Sequence, residues 1–184
     1  MITSAEEYLS KQYLINSANI PTIALLLPST EKIYNINLST RMVEAPEYLS
    51  VLKDHYAETI YFKCDRYFDN MDLTDTVCLI QYQNKNTQDP GHFFAVPFYD
   101  IDHFQKPGTK DEDRGKILIP WCISGSATAV AGPITFSFHF YKLDEQGSNN
   151  LLYGLNTLPA NSKILYGLDI ETTEEEELAS SDYL

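Results

Sequence analysis

Along the middle of the chain, apolar and polar residues alternate with the period of a half-buried strand. In AGPITFSFHFY (131–141), Ile134, Phe136, Phe138 and Phe140 fall on one side of an extended backbone, and Thr135, Ser137, His139 and Tyr141 on the other. KIYNINLS (32–39) repeats the pattern with Tyr34, Ile36 and Leu38. ETIYFKCD (58–65) repeats it with Ile60, Phe62 and Cys64, leaving Tyr61 and Lys63 outside. TVCLIQYQN (76–84), the aromatic HFFAVPFYD (92–100), GKILIPW (115–121), PITFSFHFYKL (133–143), LLYGL (151–155) and SKILYGLDI (162–170) complete a set of about eight candidate strands.

The connections fit that set. NKNTQDPG, QKPGTKDEDRG and DEQGSNN are polar and rich in turn formers. Pro97 and Pro120 interrupt strand patterns, which assigns them to an edge or a bulge. No βαβ alternation is present, which argues against an open parallel sheet. The expected fold is all-β: an antiparallel β-sandwich, Ig-like or jelly-roll-like, over residues 32–170. Ile36, Leu38, Ile60, Phe62, Leu79, Ile119, Phe136 and Phe138 are expected in its core.

The two ends read differently. Residues 6–15 are compatible with a short amphipathic helix and 16–31 with an extended arm, so 1–31 forms an N-terminal arm. Leu25, Leu26 and Leu27 are more apolar than a solvated linker needs. The C-terminal stretch 171–184 holds six of the 26 acidic residues and none of the 13 basic ones. It reads as an extension, with Glu174, Glu175, Glu176 and Glu177 as contacts for a basic partner surface. A third candidate contact is APEYLSVLKDH (45–55), expected as a surface loop or short helix; Tyr48, Leu49 and Leu52 are too apolar for an idle loop.

Composition then narrows the partners. With 184 residues, 43% of them hydrophobic, the chain can bury one core. Its net charge of −13 argues against a phosphate-backbone ligand and against anionic membrane surfaces. Glu6 and Glu7 stand where a signal peptide would carry basic residues, and IALLLP (23–28) is far short of a membrane span. Cys64, Cys78 and Cys122 make neither an even disulfide set nor a CxxC pair, so small buried hydrophobes in a reducing compartment are expected.

Candidate chemistry is sparse. Asp100, Asp102 and His103 could reach a cation from a loop, and Asp111 with Asp113 faintly suggests calcium, but the glycine and terminal glutamate of an EF-hand loop are missing. Ser124 and Ser126 in CISGSAT do not form GxSxG. Cys122 with His139 is the chance expectation for one Cys and one His on separate strands. No enzymatic activity and no cofactor are therefore expected. The 13 tyrosines and Trp121 raise a second reading, a carbohydrate-binding sandwich for host-surface recognition, which requires solvent-facing coplanar rings.

A longer pattern is more specific. RMVEAPEYLSVLKDHYAETIYFKCDRYFDNMDL (41–73), VPFYDI (96–101), ILIPWCISGSATAVAGPITFSFHFYKLD (117–144) and YGLNTLPANSKILYGLDI (153–170) occur in a fixed order. Together they resemble a domain of phage and prophage structural proteins of Firmicutes, with the likeness covering residues 41–170. The resemblance implies an all-β attachment module of virion appendages, made in the bacterial host cytoplasm and incorporated into the virion. Its partners would be other capsid, neck or tail proteins, with further copies of itself in a homo-oligomer, and it brings no catalytic residues. Relatives often continue into a fibrous region, whereas this sequence ends in the acidic stretch. That difference favours an adaptor, decoration or collar role over a distal carrier.

Overall fold

A computed structural model describes residues 33–84, 89–99, 114–143 and 151–167. The expected arm with Leu25–Leu27, the acidic stretch with Glu174–Glu177, and the loop residues Asp100, Asp102, His103, Asp111 and Asp113 all lie outside these residues.

The described elements are strands and one 3-10 turn. In chain order the strands are β1 (Ile33–Asn37), β2 (Met42–Val43), β3 (Ser50–Val51), β4 (Thr59–Asp65), β5 (Tyr67–Phe68) and β6 (Met71–Asp72). After the turn at Leu73–Asp75 come β7 (Val77–Asn84), β8 (Gly91–Ala95), β9 (Lys116–Cys122), β10 (Gly132–Leu143), β11 (Leu151–Asn156) and β12 (Ala160–Leu165). The eight longer strands, β1, β4 and β7 to β12, coincide with the eight alternating segments of the sequence. The short ones arise from loop residues that carry no periodicity.

Two sheets face each other. One has the order β2-β1-β4-β9; the other has β3-β12-β10-β7-β8, with β11 also pairing β10. Phe62 of β4 meets Phe136 and Phe138 of β10 at ring separations of 5.8 and 4.6 Å, and Trp121 of β9 stacks on Tyr82 of β7 at 5.8 Å. The row Ile134, Phe136, Phe138 and Phe140 is buried along its whole length, as its alternation requires. The fold is thus an all-β sandwich.

Three expectations need correction. The sheets are not wholly antiparallel: β1 pairs β4 and β12 pairs β3 in parallel. Residues 38–58 between β1 and β4 are long enough for the crossover that a parallel pair demands. Leu79 is only half-buried, because in β7 the inward face is Cys78, Ile80 and Tyr82; it lies opposite His139 on the outer face. Tyr61, expected outside, is buried, and burial pushes its hydroxyl up to about 12.

Both prolines sit where a missing N–H is tolerated. Leu118 exchanges main-chain hydrogen bonds with Phe98 at 3.0 Å on the side of β9 away from β4. Pro120 has the same parity, so its nitrogen also points outward. Pro97 lies just past β8, between Ala95 and the Phe98 bridge that carries the chain to the other sheet.

β11 and β12 lie end to end along one side of β10. Thr157–Pro159 form the offset between them. Thr157 donates its main-chain N–H to Phe138 O, and its hydroxyl accepts the Phe138 N–H, each at 2.9 Å. One side chain thus replaces the carbonyl that the offset removes from the ladder.

Candidate functional site

The segment 45–55 is a loop containing the two-residue strand β3 rather than a helix. It is pinned to β12 by Leu49 N–H to Lys163 O at 2.9 Å, Leu52 N–H to Leu165 O at 2.8 Å and Ser162 Oγ to Pro46 O at 2.8 Å. Of the three expected contacts, Tyr48 is exposed, Leu52 is half-buried, and Leu49 belongs to this chain's own core. Tyr48 therefore carries the outward surface of this loop, joined at the same sheet edge by exposed Tyr166.

Downstream, the loop meets CISGSAT. His55 Nδ1 accepts the Gly125 N–H at 2.7 Å, Thr128 Oγ1 donates to Asp54 O at 2.5 Å, and Lys53 N–H donates to Thr128 O at 3.0 Å. A main-chain N–H can only donate, so Nδ1 is unprotonated in this geometry. Ser124 and Ser126 hydrogen-bond to each other at 2.8 Å and both bond to the Tyr82 hydroxyl. Neither serine bonds to His55, so no nucleophile–base pair is formed here. The cluster fastens one end of the sandwich.

The three cysteines are buried. Cys64 and Cys78 are fully buried on facing strands, and burial pushes both thiols up; burial raises Cys122 too, against a hydrogen bond from Thr59. Thiols held this way are poor nucleophiles at neutral pH. Cys122 lies near Tyr56 and Tyr61 in one sheet, whereas His139 faces outward from the other, between Ser137 at 2.9 Å and Asn156 at 2.8 Å. The two are not brought together. Among the described residues no group of three or more His, Cys, Asp or Glu could hold a metal ion.

Trp121 is fully buried against Tyr82 and Phe136, which removes it from any sugar-stacking surface. What the molecule does present is apolar surface at its margins. Met42, Tyr67, Leu151, Leu152 and Leu158 are all exposed. Arg41, at a positive φ of 66°, ties several of these elements together. Its carbonyl accepts the Leu158 N–H at 2.9 Å, its guanidinium donates to Asn156 O at 2.8 Å and sits 5.2 Å from the Phe68 ring centroid. Sequence reasoning missed this surface because Met42, Leu151 and Leu158 occupy turns and strand ends, where hydrophobic periodicity says nothing about direction.

Comparison with protein-family models, with curated proteins and with solved structures gives no match to this chain.

Proposed function

We propose that the protein is a non-enzymatic structural component of a bacteriophage virion, an adaptor, decoration, collar or baseplate-type module that assembles through protein–protein contacts. The observation that carries this reading is the placement of exposed apolar side chains. Among the described residues, Ser124, Ser126 and His55 hydrogen-bond within loops and the three cysteines are buried, while Met42, Leu151, Leu152 and Leu158 are exposed at the sandwich margin. Contiguous exposed apolar surface marks an interaction site, and the Arg41 carbonyl, bonded to the Leu158 N–H, brings Met42 and Leu158 to one margin. The ordered motifs over 41–170 add a resemblance to virion attachment domains. In this reading the partners are neighbouring capsid, neck or tail proteins and further copies of the chain.

The carbohydrate reading has less support. Its strongest candidate, Trp121, is internal, and the exposed rings Tyr48, Tyr67 and Tyr166 are not stacked on one another.

The test is co-purification. Particles induced from the source strain, banded by density and analysed by quantitative mass spectrometry, should contain the chain at a fixed copy number relative to the major capsid protein. Recovery of the chain only in the soluble fraction would overturn the proposal.

A further inference from the structure

The outer edge of β11 leaves main-chain groups without partners among the described residues. Because Phe138 exchanges its main-chain bonds with Thr157, its N–H and C=O face the β11–β12 side; by alternation those of Phe140 and Lys142 do the same. Their partners Leu155 and Tyr153 turn back toward β10, which leaves the main chain of Gly154 and Asn156 facing away from the sheet. Arg41 satisfies the Asn156 carbonyl. The outward N–H and C=O of Gly154 have no partner among the described residues.

Natural edges are protected by charge, proline, brevity or a bulge. Residues Leu151–Asn156, LLYGLN, contain neither a charge nor a proline. The pairing with β10 slips between Lys142 and Leu143, making Leu152 the extra residue of a bulge. That bulge limits the open ladder to the residues around Gly154, but it also turns Leu151 and Leu152 out to 63% and 60% exposure.

We propose that β11 is the contact for a second copy of this chain, paired antiparallel about a two-fold axis at Gly154. This rests on the assembly reading and names its partner. A single residue offering one N–H and one C=O in the same direction is self-complementary: a two-fold axis turns it into a closely spaced pair of hydrogen bonds. Glycine places no side chains beside each other at the axis, and Leu152 of one copy comes opposite Asn156 of the other, whose carbonyl Arg41 already holds, so the new ladder is centred on the Gly154 pair alone. Charge favours the same occupant. On a chain of net charge −13, this strand carries no charge of its own and has one charge of each sign, Arg41 and Asp69, near Tyr153, so two copies meet here without net like-charge repulsion.

The test uses the full chain and the variant Gly154→Pro. A proline is tolerated where the lost N–H faces outward, so the sandwich should keep its melting temperature. Multi-angle light scattering over a concentration series should give the parent a mass approaching twice 21.0 kDa. The variant should stay monomeric, or dimerise with a Kd at least about tenfold weaker. Leu152→Lys, which sets a charge on each edge, provides a second reading should the proline variant fold poorly. A parent that is monomeric throughout, or a dimer that survives both substitutions, overturns the proposal. The two readings fail separately. Gly154→Pro still incorporated normally into particles removes this edge from assembly and leaves the virion role standing. A dimer formed by a chain that is absent from particles removes the virion role instead.

Discussion

Arg66 and Asp72 show what single residues contribute. Arg66 is buried, its guanidinium lies 4.4 Å from the Tyr99 ring centroid, and it reaches Asp72 through Nη2 at 3.0 Å and Nε at 3.2 Å. Asp72 also accepts from the Thr74 N–H at 3.0 Å and hydroxyl at 2.7 Å, capping the 3-10 turn. Burial pulls the Asp72 carboxyl upward, but the hydrogen bonds from Thr74 and Arg66 outweigh it and hold the group below its ordinary value of 3.8. A depressed native value contributes stability in full above the unfolded value, and that contribution is lost as pH falls through the native one. Asp72→Asn should therefore cost about 2 kcal/mol at pH 7, the scale of charge-assisted hydrogen bonds. The difference from the parent should begin to narrow as denaturant melts are taken below about pH 3.8 and should close only beneath the lower native value. A gap independent of pH would assign the loss to packing instead.

At the scale of elements, the sandwich depends on β10, which is paired on both sides and faces β4 and β9. Phe138→Ala should cost about 3–5 kcal/mol in a denaturant melt, the range for truncating a fully buried aromatic; a loss under about 1 kcal/mol would contradict its place between Phe62 and Phe136. The Thr157 offset makes a finer prediction. Thr157→Val removes the hydroxyl that accepts the Phe138 N–H and leaves a buried donor unpaired, at a cost of about 1–3 kcal/mol. Thr157→Ser restores the acceptor and should recover most of that loss; equal damage from both would place the effect in the methyl group.

These elements also show where legibility ends. Period-two alternation located all eight longer strands and seven of the eight expected core residues, because a residue's face in a strand follows from its parity. It misplaced Leu79 because TVCLIQYQN is apolar at successive positions, Cys78, Leu79 and Ile80, so parity alone leaves the inward face undetermined. Parallel pairing and the join between β11 and β12 could not be read, since both depend on partners distant in sequence. In the candidate contacts, Tyr48 and Leu49 are adjacent and apolar, yet only the pairing of the loop with β12 decides that Tyr48 faces solvent and Leu49 the core.

For the whole molecule, the interior is filled by aromatic packing that leaves the Trp121 indole N–H without a hydrogen-bond partner among the described residues, and exposed apolar side chains lie at the margins. A net charge of −13 opposes indiscriminate association of like chains. β2 and β3 are two-residue edges, β8 ends the larger sheet, and the Phe98 bridge engages the outer side of β9; on β11 the outward main chain of Gly154 has no partner among the described residues. The most direct measurement is a cryo-EM map of the intact particle at side-chain resolution around this chain. The account predicts the β-sandwich in place on the virion, with a second copy's β11 running antiparallel to the first across Gly154 and Leu152 covered. A map in which this chain is absent, or in which β11 faces solvent while contacts run through the outer face at Ser137 and His139, would contradict it.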